Sequence, residues 1–144
     1  MSKVLVTGSE GFIGQNVCQY LHNQGHEVSG WEYVPNTIPD PSHFDWVIHL
    51  GAISSTTEKN VDLILDQNFE FSKRLMQACD MMGVNMQYAS SASVYGSLTE
   101  FNETSPVLPQ SPYAWSKYLF DRFVTQHLED FQVIIQGFRY FNVY

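Results

Sequence analysis

Short apolar runs alternate with amphipathic segments along the whole of this chain. The apolar runs predict five strands, at residues 3–7, 26–33, 44–52, 84–91 and 130–140. The segments between them carry apolar residues at helical spacing and predict three helices, one following GSEGFIG to about residue 22 and two over 59–82 and 112–129. Strand and helix in alternation imply right-handed crossovers, and therefore an α/β fold with a parallel sheet covered on both faces.

Two of the predicted helices carry clear end signals. Gly83 directly follows the 59–82 helix and is typical of a C-terminal glycine that adopts the left-handed conformation. Ser111 and Pro112 are typical of an N-cap and a first helical position. Ser111 and Pro112 thus place the start of the 112–129 helix, which carries two candidate catalytic residues.

The composition is that of one folded domain. The chain has 144 residues, of which 44% are hydrophobic, and its net charge of −8 argues against a nucleic-acid or acidic-membrane partner. No apolar run approaches the roughly 20 residues of a membrane span, and the amino-terminal segment has no signal-peptide pattern. The two cysteines, Cys18 and Cys79, lack metal-ligand spacing, so we expect no metal site and a reduced, cytoplasmic protein.

Three glycines, Gly8, Gly11 and Gly14, stand between the first predicted strand and the first helix. Glycines there let the chain turn sharply and let a phosphate approach the backbone. The helix N-terminus then offers free N–H groups and partial positive charge to a pyrophosphate. The strand–turn–helix context predicts a dinucleotide site.

Glu32 ends the second predicted strand, where a carboxylate can accept both hydroxyls of an adenosine ribose. The alternative is an ordinary polar strand end. No lysine or arginine lies between Lys3 and Lys59, so nothing in that stretch could pair with a 2′-phosphate. The sequence therefore favours NAD over NADP.

Tyr113 and Lys117 lie four residues apart on a predicted helix, which places both side chains on one face. An ammonium group favours a phenolate, so we expect Lys117 to lower the pKa of Tyr113 from about 10 toward neutrality. A tyrosine tuned in this way can exchange a proton with a hydroxyl group. Alone, the same spacing is more often surface packing.

Ser91 ends the fourth predicted strand, at the carboxyl edge of the sheet where ligands bind in open α/β folds. Its hydroxyl could orient the oxygen of a substrate, although serine is ordinary at a strand end. With Tyr113 and Lys117 it would form a polar wall facing a nicotinamide ring.

The chain resembles the extended short-chain dehydrogenase/reductase family, which includes nucleotide-sugar epimerases and dehydratases. The resemblance lies in GSEGFIG, HLGA, YASSASVYG and YAWSK, in that order, and covers essentially the whole chain. SSTTE at 54–58, SKYLFDRFV and GFRYFNVY are most similar to the subfamily of ADP-glycero-manno-heptose 6-epimerases. The resemblance implies a Rossmann-type doubly wound sheet, a bound NAD and a nucleotide-sugar substrate.

The resemblance also implies a set of site residues. The catalytic positions are Ser91, Tyr113 and Lys117, and the substrate-binding positions are Ser91, Ser93 and Asn142. The cofactor-binding positions are Gly8, Gly11, Phe12, Ile13, Gly14, Glu32, Leu50, Gly51, Ala52, Ser54, Asn68, Tyr113 and Lys117.

The chain departs from the family pattern in three places. A proline-rich stretch at 34–43 replaces a helix and a strand, so we expect no strand between residues 33 and 45 and a more open adenine pocket. Gln67 and Asn68 stand where paired asparagines are usual. The chain ends at Tyr144, so residues 1–144 are expected to be a dinucleotide-binding domain without the C-terminal substrate domain.

The resemblance implies a nucleotide-sugar epimerase that works by transient oxidation of a sugar carbon. A dehydratase is the alternative within the family, although Ala92 and Ser93 follow Ser91 where a carboxylate would be usual. A non-catalytic dinucleotide sensor or an inactive fragment are alternatives of other classes. Helices 59–82 and 112–129 are expected to pair in a homo-oligomer. Ordinary burial within the chain would equally explain the extra apolar positions on these helices.

Overall fold

The computed structural model describes all 144 residues as one parallel sheet with helices on its faces. The strand order is β2-β1-β3-β4-β5. Its strands are β1 Lys3–Thr7, β2 Glu27–Trp31, β3 Trp46–His49, β4 Asn85–Ser91 and β5 Ile135–Tyr140. The α/β prediction is confirmed; β1 has its predicted bounds and the other four strands are shorter than predicted.

The helices are α1 Phe12–Asn23, α2 Val61–Ile64, α3 Phe71–Met82 and α4 Pro112–His127. Ser111 caps α4 as predicted, since its side chain accepts a hydrogen bond from the Ala114 N–H at 3.1 Å. Gly83 ends α3 in the left-handed conformation, with φ of 72°. A π-helical turn over Leu65–Glu70 separates α2 from α3, so the single helix predicted over 59–82 is interrupted.

The topology reverses at the middle of the sheet. From β1 the chain crosses to β2 at one edge, then returns past β1 to β3 and continues through β4 to β5 at the other edge. The reversal point between β1 and β3 is where doubly wound sheets bind ligands, outside the carboxyl ends of the strands. The loops that follow β1 and β3 meet there.

The expected loss of one strand is confirmed. Residues 32–45 contain neither helix nor strand, and β2 is therefore the edge of the sheet. The proline-rich sequence explains this, since proline lacks the N–H that a central strand must donate.

The main core lies between the sheet and the helices that cover β3 and β4. Its buried members are Leu5, Val47, Phe71, Leu75, Met76, Cys79, Val84, Met86, Tyr88, Phe120 and Val124. This core anchors α3 and α4 against the sheet and so fixes the position of Tyr113 and Lys117 on α4. None of the helices combines the length and the apolar character that crossing a membrane requires.

Candidate functional site

One cleft of about 1160 Å³ opens at the carboxyl ends of the strands. All but one of the predicted site residues line it, namely Gly8, Gly11, Phe12, Ile13, Gly14, Glu32, Leu50, Gly51, Ala52, Ser54, Ser91, Ser93, Tyr113, Lys117 and Asn142. We call the part lined by the three glycines and Glu32 the glycine end, and the part lined by Ser91, Tyr113 and Lys117 the tyrosine end.

The glycine end depends on close backbone packing. Gly8 has a φ of 69°, and a β-carbon on it would stand 2.6 Å from the Cα of Gly51 in the loop after β3. A β-carbon on Gly14 would collide with the Gly8 carbonyl oxygen. Gly11 precedes α1, and no side chain caps that helix or places a carboxylate in its first turn. The N–H groups at its start are therefore available to an anion.

Glu32 lies against the glycine loop. One carboxylate oxygen accepts hydrogen bonds from the Ser9 hydroxyl at 3.1 Å and from the Glu10 N–H at 2.8 Å. These contacts hold a negative charge at the rim of the glycine end without an ion pair. A carboxylate in this position accepts ribose hydroxyls and repels a phosphate group.

Aromatic side chains line the cleft beyond Glu32. Trp31 stacks on Phe71 with ring centroids 5.3 Å apart, and Tyr33 meets the same ring edge-on at 5.4 Å. The Tyr33 hydroxyl donates to Asp66 at 2.9 Å. No strand covers this side of the cleft, because β2 is the sheet edge. The more open adenine pocket stays a prediction.

Tyr113 and Lys117 share one face of α4 at the other end of the cleft. Lys117 is only 7% exposed, and its ammonium group donates to the Ala89 carbonyl oxygen at 2.9 Å. The same group lies 5.9 Å from the centre of the Tyr113 ring. The predicted pairing is therefore present, with the lysine anchored to β4 rather than exposed to water.

The electrostatics of the pair differ from the sequence prediction. Burial lowers the pKa of Lys117 to about 8, while the charge of Asp121 acts in the opposite direction. Burial raises the pKa of Tyr113 above its usual value, and the nearby Ser91 hydroxyl lowers it only in part. The predicted lowering of the Tyr113 pKa is therefore wrong for this structure. The loss of water around Tyr113 disfavours its phenolate more than the Ser91 hydroxyl favours it.

Two serines complete the tyrosine end. Ser91, the last residue of β4, accepts a hydrogen bond from the Ser93 N–H at 3.1 Å. The Ser93 hydroxyl is buried and has no hydrogen-bond partner within the protein. An unpaired buried hydroxyl is costly, and it suits a site where a polar ligand supplies the missing partner.

Asn68 lies below the cleft, not on its surface. It is 1% exposed, and its amide pairs with the Ile53 N–H at 2.8 Å, the Ile53 carbonyl at 3.0 Å and the Ser116 hydroxyl at 3.1 Å. The direct cofactor contact predicted for Asn68 is therefore not available, because its donors and acceptor are used inside the protein. Asn68 instead fixes the loop after β3 against α4.

A buried polar chain extends from Asn68 to the end of β1. Ser72 donates to the Asn68 carbonyl at 2.7 Å, and the two nitrogens of His49 meet Ser72 at 2.7 Å and Thr7 at 2.6 Å. Burial lowers the pKa of His49 to about 3, so its ring is neutral. Sequence reasoning missed this chain, although a histidine within an apolar strand is a signal that could have found it.

The comparisons with known proteins agree with this geometry. Residues 4–40 and 35–144 match the model of the NAD dependent epimerase/dehydratase family. The ADP-L-glycero-D-manno-heptose-6-epimerase of Helicobacter pylori is 27% identical over 99% of this chain and 56% of its own, with a TM-score of 0.86. The NAD complex of the UDP-glucuronic acid 4-epimerase from Bacillus cereus is 26% identical over 99% of this chain and 57% of its own, with a TM-score of 0.86.

A dehydratase is similar to the same extent. TunA, an NAD dependent NDP-hexosamine 5,6-dehydratase of tunicamycin biosynthesis, is 28% identical over all of this chain and 56% of its own, with a TM-score of 0.87. The chain thus spans little more than half the length of these solved structures. Because the family model matches nearly every residue, the chain belongs to the NAD dependent epimerase/dehydratase family.

Proposed function

We propose that this chain is the cofactor-binding part of an NAD-linked nucleotide-sugar epimerase. One observation carries the proposal: Ser91, Tyr113 and Lys117 converge at one end of a cleft whose other end is a glycine loop at a helix N-terminus. A dinucleotide-binding sensor needs the glycine end but has no use for the tyrosine end.

The residues present fit NAD. The uncapped start of α1 suits the pyrophosphate, Glu32 suits the hydroxyls of the adenosine ribose, and Lys117 lies where the second ribose would approach Tyr113. When bound, NAD supplies a hydride acceptor for a sugar carbon and returns the hydride afterwards. The chemistry that remains for this chain is to orient the sugar and to move one proton.

The tyrosine end is suited to both tasks. Ser91 and the unpaired Ser93 hydroxyl orient the oxygen of the reacting carbon. Tyr113 is placed to exchange the hydroxyl proton, which requires its phenolate, so the charge of Lys117 has to offset the burial that raises the pKa of Tyr113. With a pKa of about 8, Lys117 is largely charged at neutral pH, and its ammonium stabilises the negative charge that develops on this side of the cleft.

Epimerisation is favoured over dehydration by the absence of a second acid at the tyrosine end. Glu32 is the only carboxylate that lines the cleft, and it lies at the glycine end. Elimination of water normally needs a further acid or base beside the oxidised carbon. Dehydration remains the alternative reaction because TunA is as similar to this chain as the epimerases are.

The test is substitution of Tyr113 by Phe in the intact protein. Conversion of a panel of nucleotide sugars into their epimers, followed by NMR, should slow by about 10² to 10⁴-fold because the proton acceptor is lost. NADH affinity should stay within about threefold. Tyr118→Phe on the same helix is the matched control and should keep the wild-type rate. A Tyr113→Phe variant that turns over normally would refute the assignment.

We further propose that the segments 59–82 and 112–129 pair in a homodimer, with α2 and α4 at its surface. Val61 and Trp115 are about half exposed and line a shallow apolar groove with Leu65 and Leu119. Pairing of these helices with a second copy would cover that groove. Sedimentation should show a dimer that Trp115→Arg dissociates, and a monomeric wild-type chain would contradict the proposal.

A further inference from the structure

Asp121 is a largely buried carboxylate to which the function described so far gives no part. Its side chain is 12% exposed and lies one helical turn beyond Lys117 on α4. One oxygen accepts the Tyr88 hydroxyl at 3.0 Å. The other accepts the Ser90 hydroxyl at 2.8 Å and the Arg139 guanidinium at 3.4 Å. A single carboxylate thus connects α4 with β4 and β5.

The two contacts on β4 flank the residue that anchors Lys117. Tyr88 and Ser90 stand on either side of Ala89, whose carbonyl accepts the Lys117 ammonium at 2.9 Å. β3 ends at His49, opposite Tyr88, so Ala89 and the residues after it have a strand neighbour only in β5. At this point β4 lacks half of its usual lateral support, and the carboxylate supplies contacts to it from α4.

We propose that Asp121 is a positioning residue for the Tyr113–Lys117 pair, holding the part of β4 whose carbonyl binds Lys117 and placing a negative charge near that lysine. The contacts of Asp121 do not depend on the function proposed above. The proposal rests on that function only in the catalytic use it gives to the Tyr113–Lys117 pair. Asp121 touches neither substrate nor cofactor, because it does not line the cleft.

The charges around Lys117 support this role. Tyr113 and Asp121 face it from α4, Ala89 from β4, and neutral His49 from β3, while Arg139 of β5 reaches Asp121 from the far side. The only negative charge among these groups is Asp121. It counteracts the burial that lowers the pKa of Lys117.

The test measures the titration of Lys117 directly in the chain without cofactor. The chain has four lysines, Lys3, Lys59, Lys73 and Lys117, so lysine labelled with ¹³C at Cε gives few NMR signals, and Lys117→Met assigns the one of interest. The wild-type midpoint is expected near 8. Asp121→Asn should lower it by about one pH unit, since the opposite charge is lost.

The matched control is Glu129→Gln, which removes the same charge from an exposed position just after α4. It should leave the Lys117 midpoint within about 0.2 pH unit because water screens its charge. An Asp121→Asn midpoint equal to that of the wild type would overturn the proposal.

Ser90→Ala keeps the proposal testable if Asp121→Asn fails to fold. It removes one donor to the carboxylate and leaves the charge in place. Hydrogen exchange of the amides at 89–91 should accelerate about tenfold, while exchange in β1 stays unchanged. Unchanged exchange at 89–91 would overturn the positioning role. Neither the Lys117 titration nor the hydrogen exchange requires NAD or turnover. A failure of the proposed function would therefore show separately, as loss of NADH binding or of sugar turnover.

Discussion

The two ends of the cleft are built in opposite ways. At the tyrosine end, Lys117 and Asn68 are buried and tied to neighbouring elements by hydrogen bonds. At the glycine end, Phe12 is 60% exposed and Glu32 holds only the adjacent loop. Under the proposed function, proton transfer would take place at the end from which water is largely excluded, where electrostatic interactions are stronger. The glycine end, proposed to hold the pyrophosphate and the adenosine, is open to water.

The buried polar chain behind the tyrosine end should make the fold sensitive to acid. The folded protein holds His49 neutral down to about pH 3, whereas the unfolded chain binds its proton near the usual pKa of about 6.5. Because the pKa of His49 is lower in the folded protein than in the unfolded chain, the stability that neutral His49 contributes is complete above pH 6.5 and is lost as the pH falls. The free energy of unfolding should decrease by about 4 kcal/mol between pH 6.5 and pH 3.

Urea unfolding at a series of pH values checks this prediction. His49→Gln should flatten the curve between pH 6.5 and 3, and the exposed His22→Gln should not. A His49→Gln curve parallel to that of the wild type would show that the neutral histidine is not a source of the acid sensitivity.

Neighbouring residues on the π-helical turn allow a second test of the contrast between buried and exposed positions. Asn68→Leu leaves the Ile53 backbone and the Ser116 hydroxyl without their partner and should lower the free energy of unfolding by about 3 kcal/mol. Gln67→Leu changes a side chain that lines the open cleft and should stay within about 0.5 kcal/mol. Equal losses in the two variants, measured in urea, would remove the distinction.

Substitution of Glu32 at the glycine end should change the affinity for NADH and NADPH and leave the stability of the fold unchanged. Glu32→Ala should weaken NADH binding about tenfold, or about 1.4 kcal/mol. It should also reduce the preference for NADH over NADPH, because the carboxylate that repels the 2′-phosphate is gone. Glu27→Ala at the other end of β2 is the control and should bind NADH normally. Fluorescence titration measures both, and an unchanged NADH/NADPH ratio in Glu32→Ala would contradict the role given to Glu32.

Local features of this molecule could be predicted from the sequence. The strand–glycine–helix start, the cap at Ser111 and the four-residue spacing of Tyr113 and Lys117 each depend on neighbours in the chain. The missing strand was also predictable, since its proline-rich replacement excludes it locally.

Features that depend on tertiary contacts were out of reach of the sequence. The pKa of Tyr113 is raised because the folded chain partly buries its side chain, and no spacing rule reports burial at a helix start. Asn68 turns inward because a π-helical turn carries it toward Ile53. Asp121 contacts Tyr88 and Ser90 of β4, which lie 33 and 31 positions away along the chain.

The most direct test of the central claim is a titration of the 144-residue chain with NADH, followed by nicotinamide fluorescence. The account predicts saturable binding of one NADH per chain, with NADPH bound at least about tenfold more weakly because of Glu32. Absence of saturable binding, or equal affinity for the two nucleotides, would contradict the assignment of the cleft as an NAD site.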